Sequence, residues 1–245
     1  MLSRLIIAVL FSVAMAAITA TGQSQVLVNY EFSGGSSAGT NVAANMAAGN
    51  AIWTNMANAN SGFSATFDDA FARFDAVGTT TLNADRYLEF TLSATPGYFL
   101  NLSSVDFSIG YSSTATFNRT SFANARSSID SFASDLLMTP GPTNTASIGT
   151  NAVTSPPIYN SYDISLGDPT FSNLSSFTFR LYPSVSAASA NNSFLRFDNV
   201  VFNGTVEAVP EPTTWGLLGF GLVVLAAKIF GRRRRETATA YSPRR

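Results

Sequence analysis

The chain has 245 residues, a formal net charge of −1, 46% hydrophobic residues, 20 phenylalanines, no cysteine and no histidine. Lacking cysteine and histidine, it has no disulfide staples, no Ser/His/Asp or Cys/His catalytic arrangement, no His/Cys zinc site and no haem ligand of those types. Residues 23–209 hold six arginines and no lysine against thirteen acids, a net of −7, which makes nucleic acid a poor partner.

Residues 1–22 read as a signal peptide. Arg4 supplies a short basic region, Leu5 to Ile18 is almost wholly apolar, and the small residues Ala20 and Gly22 suit the positions three and one before a cleavage ahead of Gln23. Cleavage after Ala20 is the alternative. The apolar part is shorter than a membrane span.

Residues 23–206 are long enough for one domain with its own core. Their period is that of strands. In Tyr87-Leu88-Glu89-Phe90-Thr91-Leu92 every second residue is apolar, Val105, Phe107 and Ile109 repeat the spacing, and so do Phe177, Phe179 and Leu181. Residues 194–202 (FLRFDNVVF) predict a longer strand with two apolar faces. Further strands are expected at 26–32, 63–67, 71–77, 114–122, 124–132 and 158–166, separated by turn clusters such as Thr95-Pro96-Gly97 and Ser155-Pro156-Pro157. Residues 41–60 read as a loop or a poor helix, and 127–138 as a continued strand or a short helical turn. Many short alternating strands broken by Gly and Pro turns predict an all-β, antiparallel β-sandwich.

The C-terminal stretch, 207–235, has three parts in order: Pro210-Glu211-Pro212, an apolar run over 213–231, and four arginines, Arg232, Arg233, Arg234 and Arg235. Nineteen helical residues cover about 28 Å, close to the hydrocarbon thickness of a bilayer. This predicts a single transmembrane helix. Trp215 stands at one mouth and Lys228 near the other, where its amine can reach the headgroups. The arginines resist translocation, so they orient the helix with its N-terminal end outside, and 236–245 forms a short cytoplasmic tail. The two prolines hold the backbone extended just ahead of the membrane, which suits a protease cleft or a rigid juxtamembrane spacer.

This order of parts resembles the PEP-CTERM sorting signal of exported bacterial proteins. The resemblance implies recognition by a membrane-embedded, transpeptidase-like enzyme, an exosortase, and processing near Pro210, Glu211 and Pro212. The ten residues after the arginines depart from the usual pattern, which ends at or soon after the basic cluster. The body is similar to the jelly-roll, lectin-like sandwiches often found ahead of such tails, on the strength of VNYEF, YLEFTLSATPGYFLNLSSVDFSIG, ARSSIDSF and FLRFDNVVFNGTV. That likeness implies a surface or matrix role or the binding of extracellular polysaccharide. It also brings in a structural calcium between the first and last strands, where Glu31 and Asp198 are expected to meet.

The acids offer a weaker lead toward glycan hydrolysis, through Asp68, Asp69, Asp75, Glu89 and Asp106, with Glu89 and Asp106 expected on a solvated face. Arg126 with Asp130, and Arg196 with Asp198, are expected to pair on a sheet surface. Trp53, Tyr98, Tyr111, Tyr159, Tyr162 and Tyr182 are the aromatics available for a sugar platform, most of them expected in the core. No catalytic or metal-ligating residue is assigned. The sequence therefore reads as a non-enzymatic exported protein, held at the inner membrane with its domain outside and then delivered to the cell surface or matrix.

Overall fold

The computed structural model describes residues 23–56, 61–73, 78–79, 82–113, 121–139, 145–148, 154–185 and 193–209, with isolated positions at 219, 221, 222, 225 and 228. The leader, Pro210, Glu211, Pro212, Trp215 and Arg232 to Arg235 lie outside these residues. Within 213–231, Gly219, Gly221, Leu222, Leu225 and Lys228 are described, all helical and exposed. Among the described residues no helix is long and apolar enough to cross a membrane. The chain divides into two compact units, Met1–Glu207 and Ala208–Arg245.

The first unit is a two-sheet β-sandwich. One sheet runs in the order β11 (Thr154–Ser165), β8 (Tyr98–Ser113), β13 (Ser193–Ala208), β5 (Asp69–Arg73) and β4 (Ser61–Ser64), with β1 (Gln25–Tyr30) also paired to β13. The other runs β10 (Thr145–Ile148), β9 (Ser121–Ser127), β12 (Ser176–Val185), β7 (Tyr87–Ala94) and β2 (Met46–Ala48). To that second sheet β3 (Ile52–Thr54) adds on β7 and β6 (Gly78–Thr79) adds on β12. Among the described registers the pairs are antiparallel except β6 with β12, which are parallel.

Alternation explains why these residues form these strands. Leu88, Phe90 and Leu92 of β7, Val105, Phe107 and Ile109 of β8, and Phe177, Phe179 and Leu181 of β12 are all buried, while the residues between them face outward. The phenylalanines meet in the middle: Phe202 lies 5.9 Å from Phe90, 5.7 Å from Phe179 and 6.4 Å from Phe177 between ring centroids. With no disulfide available, this ring cluster carries the domain.

Strand β13 departs from strict alternation. Leu195 and Phe197 point inward, then Val200 and Phe202, so the inward step lengthens from two residues to three at Asp198-Asn199. Asn199 takes a left-handed backbone (φ 50°) there, as asparagine does more readily than most residues. Further along, β13 runs so close to β8 that a Cβ at Gly204 would stand 2.1 Å from the Asn101 carbonyl oxygen.

Two expectations are corrected, and for 127–138 the short helical turn is the alternative that forms. Residues 41–60 include two short strands, β2 and β3, both laid on β7. The strand expected at 63–67 ends at Ser64, because 65–68 turn and Asp68 adopts a left-handed φ of 51°. After β9, residues Ser128–Asp130 form one 3-10 turn, and Ser131 and Phe132 (φ 59° and 62°) lead the chain back over the outer face of the second sheet. The strand segment proposed at 114–120 lies outside the described residues.

Candidate functional site

The outward residues of the first sheet build the site. On β8 these are Ser104, Asp106, Ser108, Gly110 and Ser112, and on β11 they are Tyr159, Ser161 and Asp163. The register places Asp106 opposite Asp163, Ser108 opposite Ser161 and Gly110 opposite Tyr159. Beside them Thr139 joins the edge of β11 by two reciprocal backbone hydrogen bonds with Asp163, each 2.8 Å. Asn199 and Val201 of β13 close the other side, giving a groove of about 370 Å³. That is within the size range of small-molecule sites. Asn203 Nδ2 donates to Asp106 Oδ2 (2.5 Å) and to Ser104 Oγ (3.0 Å), which fixes the Asp106 carboxylate. Among the described residues no side-chain hydrogen bond engages the Asp163 carboxylate or the Ser108 and Ser161 hydroxyls.

Further along the same face the polar groups are buried. Arg196 Nη1 donates to both carboxylate oxygens of Asp69 at 2.7 Å, and Arg196 Nε donates to Ser112 Oγ at 2.7 Å. The two charged side chains are 6% and 0% exposed. Tyr159 OH completes the knot by donating to Asp69 Oδ2 at 2.5 Å. Burial, then the hydrogen bond to Asp69, pushes the Tyr159 phenol well above its ordinary range, so the hydroxyl stays a donor. Gly110 makes this reach feasible, since a Cβ there would stand 2.6 Å from the Tyr159 ring. Phe67, Phe194 and Phe71 surround the guanidinium at 4.5, 5.3 and 5.8 Å.

The pairing expected of Arg196 with Asp198 does not form. The bulge turns Asp198 onto its neighbour: its Oδ1 accepts from Asn199 N (2.7 Å) and its Oδ2 from Asn199 Nδ2 (2.9 Å). Burial first of all raises the Asp198 carboxyl, the Asn199 N–H partly offsets that, and the carboxylates of Asp69, Asp68 and Glu31 add to the rise, which brings it to about 6 in all. Glu31 thus lies within electrostatic reach of Asp198. Yet Glu31 Oε1 accepts from Asn29 Nδ2 and Asp68 Oδ1 from Gly34 N, while Asp69 is held by Arg196. Among the described residues no group of three or more acidic side chains is placed to hold a metal ion.

A raised folded-state acid pKa means that stability is full below the unfolded value and falls as pH rises through the folded one. Asp198→Asn is therefore expected to raise the melting temperature at about pH 8 and to leave it unchanged at about pH 3. Parallel melts at the two pH values check this, and an equal gain at both would count against it.

The other predicted residues are dispersed. Glu89 lies on the outer face of the second sheet, its Oε2 accepting from Arg180 Nε at 2.7 Å, so the core separates it from Asp106. Arg180 sits between the rings of Phe132 (3.6 Å) and Tyr87 (4.0 Å). Arg126 pairs with Asp135 at 2.5 Å rather than with Asp130, whose carboxylate accepts instead from the backbone of Ala133 and Ser134. Asp75 lies outside the described residues. Of the aromatics, Tyr162 and Tyr182 are buried, Tyr111 and Trp53 pack against the core, and Trp53 Nε1 donates to the Gly62 carbonyl. They form no exposed platform. Sequence reasoning missed the Asp106–Asp163 pair altogether, because only strand register brings the two together.

A family model of the PEP-CTERM protein-sorting motif matches residues 208–235. No curated protein sequence matches the chain significantly. Among solved structures, the chain is similar to a carbohydrate-binding module studied for mannan recognition, at 8% identity over 75% of this chain and 99% of that one (TM-score 0.38). It is also similar to the K3 cleaved adhesin domain of Lys-gingipain from Porphyromonas gingivalis W83, at 11% identity over 73% and 99% (TM-score 0.37). A third is a family 29 carbohydrate-binding module, at 9% identity over 74% and 91% (TM-score 0.30).

Proposed function

We propose that this chain, which carries a PEP-CTERM protein-sorting motif, is an exported surface or extracellular-matrix protein that an exosortase-type membrane enzyme sorts and processes at Pro210-Glu211-Pro212. In this reading 1–22 directs export, 23–206 is the delivered domain, and 213–231 holds it at the inner membrane with Arg232 to Arg235 inside. No catalytic residue is assigned. The observation that carries the proposal is where the motif begins. The match starts at Ala208, the last residue of β13, and the compact unit that holds the sandwich ends at Glu207. The last register pair between β1 and β13 is Gln25 with Gly204, so cutting at 210–212 removes no paired strand. Replacing Pro210, Glu211 and Pro212 by alanine is expected to abolish release and leave a full-length, membrane-bound species. Immunoblots of membrane and medium fractions check it, and release at the normal rate sinks the proposal.

A second reading gives the delivered domain a task, the binding of extracellular polysaccharide. It is favoured by the groove on the first sheet, where hydroxyls, carboxylates and the apolar side chain of Val201 line one open depression. Sugar rings offer the complementary set, hydroxyl donors at the edge and a C–H face.

A further inference from the structure

We infer that the groove selects glycans by charge: Asp106 and Asp163 admit uncharged or amine-bearing chains and turn acidic polysaccharides away. This rests on the glycan-binding reading above. The two carboxylates are direct register partners on adjacent antiparallel strands, an arrangement that puts Cβ atoms about 4.5–5.5 Å apart and sets like charges against each other. A sheet keeps such a pair at a cost in stability. Among the described residues nothing in the lining offsets it: no arginine or lysine lines the groove, Asn199 Nδ2 donates to Asp198, and the neighbouring Asn203 Nδ2 reaches Asp106 and Ser104 but not Asp163. On the same outer face Arg196 is committed to Asp69, and Arg180 and Arg126 lie across the core, paired with Glu89 and Asp135. The body as a whole is acidic, with a net charge of −7 over residues 23–209 that includes this pair, so its field adds to the repulsion rather than cancelling it.

The groove therefore offers acceptors and lacks cations. A sugar hydroxyl donates to the Asp163 carboxylate, an adjacent hydroxyl can donate to the free side of Asp106, and the Ser108–Ser161 pair continues the row with groups that both donate and accept. An ammonium group is accommodated in the same place and relieves the repulsion directly. A uronate or sulfate group brings a further negative charge against two carboxylates with no guanidinium or amine to receive it. Groups that recognise anionic sugars, above all bidentate arginines, are missing from this lining.

The test is calorimetric titration of the full-length protein in detergent with four probes: neutral gluco- or manno-oligosaccharides, chitosan oligosaccharides, alginate oligosaccharides, and calcium alone. Neutral and amine-bearing chains are expected to bind, and alginate to bind at least about tenfold more weakly at low salt, with the gap narrowing as salt screens the groove. Asp106→Asn with Asp163→Asn keeps side-chain size and hydrogen bonding while removing both charges. This double variant is expected to melt higher than the parent and to close the gap between alginate and neutral chains. Alginate binding as tight as neutral binding, or a gap untouched in the double variant, overturns the charge selection. Calcium binding that the double variant abolishes overturns it too, since the pair is then a cation site. Absence of binding by every oligosaccharide overturns the glycan reading beneath it.

Discussion

Replacing Arg196 with methionine is expected to lower the unfolding free energy by about 3–5 kcal/mol, because it strands the Asp69 carboxylate in a dry site. In the folded domain Asp69 is fully buried and takes both of its charge-assisted hydrogen bonds to arginine from one Nη1. With the guanidinium gone, Tyr159 OH is the side-chain donor that remains to that carboxylate among the described residues. Methionine fills the aromatic surround of Phe67, Phe71 and Phe194, so packing accounts for little of the loss. Changing Asp69 to leucine in the same chain removes the orphaned charge and is expected to recover most of the stability, since an apolar pair of similar volume often matches a buried ion pair. Urea unfolding of the two single variants and the double, followed by circular dichroism, gives the coupling between the sites. A single substitution costing under about 1 kcal/mol would mean that water reaches the pair.

The contrast between this ion pair and the strands around it shows what a linear sequence can carry. Strands β7, β8 and β12 were legible because each is solvated on one side, so the alternation of Leu88, Phe90 and Leu92 with Tyr87, Glu89 and Thr91 is written within six residues. The sorting signal was legible for the same reason: its parts are contiguous, and their order is their meaning. The partner of Arg196 is not local. Asp69 lies 127 residues away, and the choice between it and Asp198, two residues distant, is made by the bulge at Asp198-Asn199 and by the register of β13 on β5, which pairs Arg196 with Phe71. Asp106 and Asp163 meet only through the register of β8 on β11. Strands β2 and β3 escaped because they are three residues each, too short to display a period, and are held by β7 rather than by their own pattern. Long-range register was the missing information in every case.

Phe202→Ala is expected to be the most damaging truncation in the core, at about 3–5 kcal/mol. Phe202 is wholly buried, and its ring meets four others: Tyr30 at 6.2 Å, Phe90 at 5.9 Å, Phe179 at 5.7 Å and Phe177 at 6.4 Å. Three of these contacts are edge-to-face, an arrangement worth about 0.5–1.5 kcal/mol per aromatic pair beyond area alone. The rings come from β1, β7 and β12, so the cavity opens where both sheets meet and no single side chain can swing in to fill it. Leucine keeps part of the volume and is expected to cost about 1–3 kcal/mol. The denaturant slope should stay constant across the series while the midpoint falls, because the loss is of packing and not of folded extent. The effect reaches function through β13, the strand that pairs with β8, β5 and β1 and then leads into the sorting motif at Ala208. A domain loosened along that strand is expected to reach the cell surface in reduced amount, although its Pro210-Glu211-Pro212 signal is intact. Fractionation of cells expressing Phe202→Ala, beside the alanine-substituted motif, separates the two defects. Loss of folded domain should lower the total amount, whereas loss of the signal should leave the total unchanged and hold it at the membrane. Normal surface levels of a Phe202→Ala protein with a normal melting temperature would show that the ring cluster does not carry the fold.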